Sequence, residues 1–149
     1  MPYRSVLRPG LFAGQTIVVT GGGSGIGRCT AHELAALGAR VVITGRKPDK
    51  LATVKAEIEK VGGQCDTHAF DIREEDQVDA AVAAAVARFG GIDILVNNAS
   101  AISLTGTLDT PMKRFDLMHQ VNTRGTFVCT QKAVPHLTRS ANPHVLNIA

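Results

Sequence analysis

The chain has 149 residues, 44% of them hydrophobic and 19% charged, with a net charge of +3; that length fits one domain with a real core. The sixteen Lys and Arg are dispersed, and the absence of a basic stripe with interleaved aromatics argues against nucleic-acid binding. No run approaches the ~18 apolar residues of a membrane span, and the N-terminal stretch lacks the apolar block of a signal peptide.

Apolar runs alternate with helical periodicity along the chain, the pattern of βαβ units on a parallel sheet. The N-terminal arm, with Pro9 and Gly10, reads as an ordered lead-in. A first strand spans Thr16–Thr20, and a helix follows over about 28–37. That helix is predicted to carry Ile26, Thr30, Leu34 and Leu37 on one apolar face, with Gly38 as its stop. The second strand covers 40–44, and Pro48 opens a second helix that runs to about Val61. The third strand is 64–70 and the third helix about 74–89, with Val78, Val82, Ala85, Val86 and Phe89 at helical spacing. The fourth strand, 92–96, leads into Asn97-Asn98-Ala99-Ser100. A longer loop precedes a helix opening at Pro111, on which Phe115, Met118, Asn122, Gly125 and Cys129 are predicted to share a face. Pro135 is expected to end or kink that helix, because it removes a backbone donor. A fifth strand covers 144–148.

Cys29, Cys65 and Cys129 are odd in number and without CxxC spacing, and read as reduced thiols in a reducing compartment. The five histidines show no zinc-ligand spacing, so no metal site is predicted. The expected location is cytoplasmic, with a C-terminal peroxisomal address as the open alternative.

The most informative stretch is Thr20-Gly21-Gly22-Gly23-Ser24-Gly25-Ile26-Gly27. Strand, glycine turn, helix is the context in which such a run means phosphate binding. Glycines allow the tight turn and the close approach of a pyrophosphate. The free N–H groups and dipole of the helix N-terminus attract the anion. Gly21, Gly23, Ser24, Gly25, Ile26 and Gly27 are therefore candidate cofactor contacts. No Gly-Lys-Ser/Thr follows, which sets aside a P-loop NTPase.

At the end of the second strand a carboxylate would bind the adenosine ribose and exclude a 2′-phosphate. That position is Gly45, followed by Arg46 and Lys47. A guanidinium binds phosphate bidentately and stacks on adenine, so NADP(H) is favoured over NAD(H). Asp49 falls in the first turn of a helix and reads as a complement to the helix dipole.

Four further matches stand in register with the glycine run: the Gly45-Arg46 strand end, Asp71-Ile72, Asn97-Asn98-Ala99, and Asn122 in Val121-Asn122-Thr123-Arg124-Gly125. Together they resemble the short-chain dehydrogenase/reductase family, over essentially the whole chain. The resemblance implies an α/β, Rossmann-like, doubly wound parallel sheet in three αβα layers. It implies that residues 1–149 are the dinucleotide-binding part of a single domain, truncated after strand five. It also implies that Asp71 accepts from the adenine amino group and that the Ile72 N–H contacts the ring. Asn98, Ala99 and Ser100 (glycine in the family) would lie under the adenosine ribose, and Val121 joins the cofactor-binding set. Asn122 would bend the fourth helix and hold a water leading to the catalytic lysine, the only matching member of the catalytic set here.

The family moves a hydride between nicotinamide and a carbonyl or alcohol carbon. A serine orients the reacting oxygen, and a Tyr-x-x-x-Lys pair handles the proton. This chain has no such pair, and its only tyrosine, Tyr3, cannot stand in for it. Strand five is then expected at an open sheet edge, with marginal stability or association as the consequence. The first seventy or so residues resemble the family's citronellol/citronellal dehydrogenase-type and enoyl-CoA reductase-type branches. From Gly91 onward the chain resembles a hydroxysteroid-dehydrogenase-like branch. Both branches imply a hydrophobic, lipid-like carbonyl, alcohol or acyl-thioester substrate, and a dimer or tetramer in the complete enzyme. The alternative expectation is a catalytically inactive nucleotide-binding or interaction module.

Overall fold

The structure is a computed structural model and describes residues 5–149; Tyr3 lies outside the described residues. The elements run β1 (Thr16–Thr20), α1 (Gly25–Ala36), β2 (Arg40–Gly45), α2 (Pro48–Lys60), β3 (Gln64–Ala69), α3 (Glu75–Phe89), β4 (Ile94–Asn97), α4 (Met112–His119), α5 (Thr126–Leu137) and β5 (His144–Asn147). All five strands are parallel and form one sheet in the order β3-β2-β1-β4-β5. The predicted α/β doubly wound architecture is the one observed.

Strand alternation divides the core into two layers. Ile17 and Val19 of β1, with Val41 and Ile43 of β2, pack under α1 and α2 against Ala31, Ala35, Leu51, Val54 and Ile58. Val18, Val42 and Leu95 point the other way, onto Val78 and Ala85 of α3 and Val128, Cys129 and Ala133 of α5. With both faces covered, β1 is buried along its whole length, which explains its unbroken apolar run. Burying each such Val or Ile contributes about 1.5–3 kcal/mol. Part of the lead-in, at Phe12, is tied down as well. Phe12 packs against the first layer and its N–H donates to the Leu37 carbonyl at 3.1 Å.

At the other end of the strands, Asp93 stitches three segments together. Its carboxylate accepts from the Thr16 N–H at 2.7 Å and from the Ser140 hydroxyl at 2.5 Å, and its carbonyl accepts from the His144 N–H at 3.1 Å.

Three expectations need correction. The buried face of α1 is Gly27, Ala31 and Ala35, whereas Ile26 is 65% exposed. Small side chains let α1 approach the sheet closely, and Ile26, one position away from that row, turns toward the cleft at the carboxyl ends of the strands. The long fourth helix is interrupted. A π-helical segment, Gln120–Gly125, separates α4 from α5. Phe115 and Asn122 lie outside the core there, while Gly125 and Cys129 are buried. Pro135 neither ends nor breaks α5, which continues to Leu137; it sits in the last turn, and Thr138 still donates to Val134 at 3.0 Å. At the sheet edge β5 is exposed throughout, with Val145 and Leu146 partly open to solvent.

Candidate functional site

The glycine run forms the turn between β1 and α1, at the carboxyl end of the sheet. Ser24 is the N-cap of α1 but makes no side-chain cap bond, and the first turn holds no acidic residue. Arg28 is the first N–H to find a helical acceptor, the Ser24 carbonyl at 3.1 Å. The N–H groups of Gly25, Ile26 and Gly27 therefore lack helical acceptors and face outward at the positive end of the dipole. Gly25 has φ +52°, and a Cβ there would meet nothing within 4 Å, so its backbone fronts open space. Gly27 is the opposite case. A Cβ on it would lie 2.4 Å from both the Gly21 carbonyl oxygen and Asn98 Nδ2.

The turn is braced against β4, across the switch in strand order. The buried Thr20 hydroxyl accepts from the N–H groups of Asn98 and Ala99, each at 3.0 Å. Asn98 Nδ2 donates to the Thr20 carbonyl at 2.9 Å. Asn97 braces the sheet on the other side, with Nδ2 donating to Thr130 Oγ1 at 3.0 Å and Asn147 Oδ1 at 2.9 Å.

Between these walls lies an open cleft of about 680 Å³. It is lined by Gly21, Gly23, Ser24 and Ile26 from the turn, Arg46 and Lys47 after β2, Asp71 and Ile72 after β3, Asn98, Ala99 and Ser100 after β4, and Val121 of the π segment. Twelve of the fifteen residues singled out from the sequence thus meet in one place. Gly25 and Gly27 belong to the first turn of α1 and do not line the cleft. Asn122 stands beside it, on the π segment.

Asn122 is exposed rather than a buried amide on an apolar face. Its Nδ2 donates to the Ala101 carbonyl at 2.9 Å, and its Oδ1 accepts from the Ala101 N–H at 2.8 Å. The side chain therefore acts as a short strand partner that pins the loop after β4.

Charge in the cleft is lopsided. Among the described residues, Arg46 and Lys47 form no ion pair, and Asp49 sits in the first turn of α2. Asp71 is held by Arg73, whose Nη2 and Nε donate to its carboxylate at 2.7 and 3.0 Å. These bonds lead the causes that hold the Asp71 carboxyl below the usual carboxylate range, with the charge of Arg46 adding to them.

Sequence reasoning missed several lining residues: Lys50, Phe70, Ile102, Arg114 and Leu117. Lys50 carried a signal, being a third cation close after Arg46 and Lys47, in the first turn of a Pro-opened helix. Ile102, Arg114 and Leu117 carried none, since only the fold of the long loop and α4 brings them over the cleft.

A parallel sheet with a glycine turn at its switch point, walled by the loops after β2, β3 and β4, places the protein in the Rossmann-like class of α/β folds. The sequence profile described as short chain dehydrogenase matches residues 15–149, and the chain belongs to that family of oxidoreductases. It is 49% identical over 147 residues to hydroxysteroid dehydrogenase-like protein 2 of Danio rerio, covering 94% of this chain and 35% of that protein. A putative dehydrogenase from Xanthomonas campestris superposes with a TM-score of 0.87 at 53% identity, covering 93% of this chain and 53% of that one. The citronellol catabolism dehydrogenase of Pseudomonas aeruginosa PAO1 gives a TM-score of 0.88 at 47% identity, covering 97% and 59%. A metagenomic short-chain oxidoreductase in complex with NADP gives 0.86 at 34% identity, covering 93% and 63%. The chain thus spans about a third of the length of the curated relative.

The family binds a nicotinamide cofactor, and the residues present fit one. Donors without acceptors at the α1 N-terminus, and a backbone at Gly25 that fronts open space, suit a pyrophosphate laid against backbone.

Proposed function

We propose that this chain is the cofactor-binding part of an NADP(H)-dependent short-chain oxidoreductase acting on a hydrophobic carbonyl, alcohol or acyl thioester. The observation that carries the cofactor choice is the end of β2. Gly45, Arg46 and Lys47 line the cleft where a ribose-binding carboxylate would stand in an NAD(H) site. Arg46 and Lys47 receive the 2′-phosphate, the guanidinium by paired hydrogen bonds. The N–H groups of Gly25, Ile26 and Gly27 bind the pyrophosphate. Asp71 and the Ile72 N–H orient the adenine, and Asn98, Ala99 and Ser100 support the ribose. Asn122 holds the loop after β4 against the π segment. When bound, the nicotinamide supplies the hydride chemistry.

A lipid-like substrate is supported by Ile102 and Leu104, which stay 74% and 92% exposed on the loop after β4, Ile102 lining the cleft. Assembly of copies through α4 and α5 is supported by the exposed Phe115, Phe127 and Val134. NADPH binding about tenfold tighter than NADH, with the preference lost in Arg46→Ala, is the expected result in a fluorescence titration. Equal affinities in the unsubstituted protein would overturn the cofactor assignment.

A second reading rests on the absence of a Tyr-x-x-x-Lys pair from residues 1–149. It makes this stretch a nucleotide-binding module without turnover. Hydride transfer catalysed by these residues alone would sink it.

A further inference from the structure

The turn after β3 and the π segment lie some fifty residues apart in sequence, yet they touch at two points. Arg124 Nη1 donates to the Arg73 carbonyl at 2.6 Å. One residue on, buried Gly125 packs against Ile72. A Cβ at Gly125 would come within 2.6 Å of Ile72 Cδ1 and 2.7 Å of Cγ1. The same turn is tied internally. The Arg73 N–H donates to Asp71 Oδ1 at 3.0 Å, the Arg73 guanidinium clasps the Asp71 carboxylate, and the Asp71 N–H donates to Gln77 Oε1 at 3.2 Å. Arg73 is thus held at its carbonyl from outside and at its side chain from within.

The π geometry makes this double contact available. Each residue of an α-helix advances the face by about 100°, so one extra residue per turn re-aims the side chains beyond it. Within one segment Asn122 reaches the loop after β4 and Arg124 reaches the turn after β3. Ala101 and Ile72, the residues these contacts serve, both line the cleft.

We propose that Arg124 is a positioning residue for the adenosine end of the cleft, with Gly125 as the seat on which Ile72 rests. The π segment then couples two walls of the cleft, so that loosening it loosens the grip on the nucleotide. This inference rests on the dinucleotide reading of the cleft but not on the choice between NADP(H) and NAD(H).

The test is calorimetric titration of the protein with ADP-ribose, alongside thermal melting and amide hydrogen exchange at Ile72 and Arg73. Arg124 is exposed, so its replacement leaves the core intact. Arg124→Ala is expected to weaken ADP-ribose binding about fivefold and to speed exchange at both amides, as befits losing one charge-assisted hydrogen bond. Arg124→Lys keeps a donor and is expected to restore most of the affinity. Unchanged ADP-ribose affinity in Arg124→Ala, whether or not the melting temperature falls, would overturn the positioning role and leave the dinucleotide reading standing. Failure of the unsubstituted protein to bind ADP-ribose would overturn both.

Discussion

Gly27→Ala sets two well-defined effects against each other. In a helix interior, alanine is favoured over glycine by about 0.8–1.0 kcal/mol. Against that, the new Cβ would stand 2.4 Å from the Gly21 carbonyl oxygen and 2.4 Å from Asn98 Nδ2, where ordinary contact begins near 3.4 Å. Something must therefore move by about 1 Å. The Gly21 oxygen is backbone in a tight turn, and Asn98 Nδ2 is committed to the Thr20 carbonyl at 2.9 Å. Overpacking of this kind costs about 1–3 kcal/mol, and the disturbed Asn98 hydrogen bond about 1 more. The clash wins, leaving a net loss of about 2 kcal/mol. For a chain of this length that lowers the melting temperature by about 4–8 °C. Gly25→Ala is the contrasting substitution. Its Cβ meets nothing within 4 Å, so the folding cost is the left-handed backbone alone, about 1–2 kcal/mol. The methyl group would stand in front of the open helix end, so nucleotide affinity falls more than stability does. Melting by circular dichroism, paired with NADPH titration, separates the two. A Gly27→Ala protein that melts at or above the unsubstituted temperature would refute the reasoning, because helix propensity would then have outweighed the contact.

Two other outcomes concern the titrating groups. Burial pushes the Cys65 thiol up to about 12 and the Cys129 thiol up to about 11, whereas Cys29 is exposed on α1; iodoacetamide at pH 8 should label Cys29 alone in the folded protein and all three in denaturant, and rapid folded-state labelling of Cys65 would contradict the packing. The Asp71 carboxyl is depressed chiefly by the Arg73 hydrogen bonds, so its contribution to stability is complete above the ordinary aspartate value of ~3.9 and fades as pH falls through the lower folded value. The melting-temperature gap between the protein and Asp71→Asn should hold steady from about pH 8 to 5 and close at lower pH; a gap as wide at pH 2 as at pH 7 would show that the carboxylate is not what stabilises the turn.

Much of this protein is legible along the chain, because its signals are local. Val18 and Val19 sit in an unbroken apolar run, since a parallel strand covered on both faces leaves no polar alternation to read. The turn at 20–27 is spelled in glycines because Gly21 and Gly25 take left-handed backbone and a Cβ at Gly22 or Gly27 would collide with its neighbours. Gly45-Arg46 is an absence and a charge at a fixed distance from that turn, and such spacing survives translation into sequence reading. The helix after β4 escapes sequence reading for an equally physical reason. Side-chain periodicity over residues 112–137 is compatible with a continuous α-helix, and that periodicity does not distinguish a π segment whose Gly125 packs on Ile72 and whose Asn122 bonds Ala101. The apolarity of Ile26 points to the core, yet the small row of Gly27, Ala31 and Ala35 is what lets α1 lie against the sheet. Arg73's hold on Asp71 is short in sequence, whereas the hydrogen bond from Arg124 to the Arg73 carbonyl comes from fifty-one residues away. Sequence by itself determined the order of the elements and the chemistry of the strand ends, both encoded within a few residues. Only the tertiary structure decided which of those ends face one another and what braces them, because contacts between distant segments depend on how the helices pack.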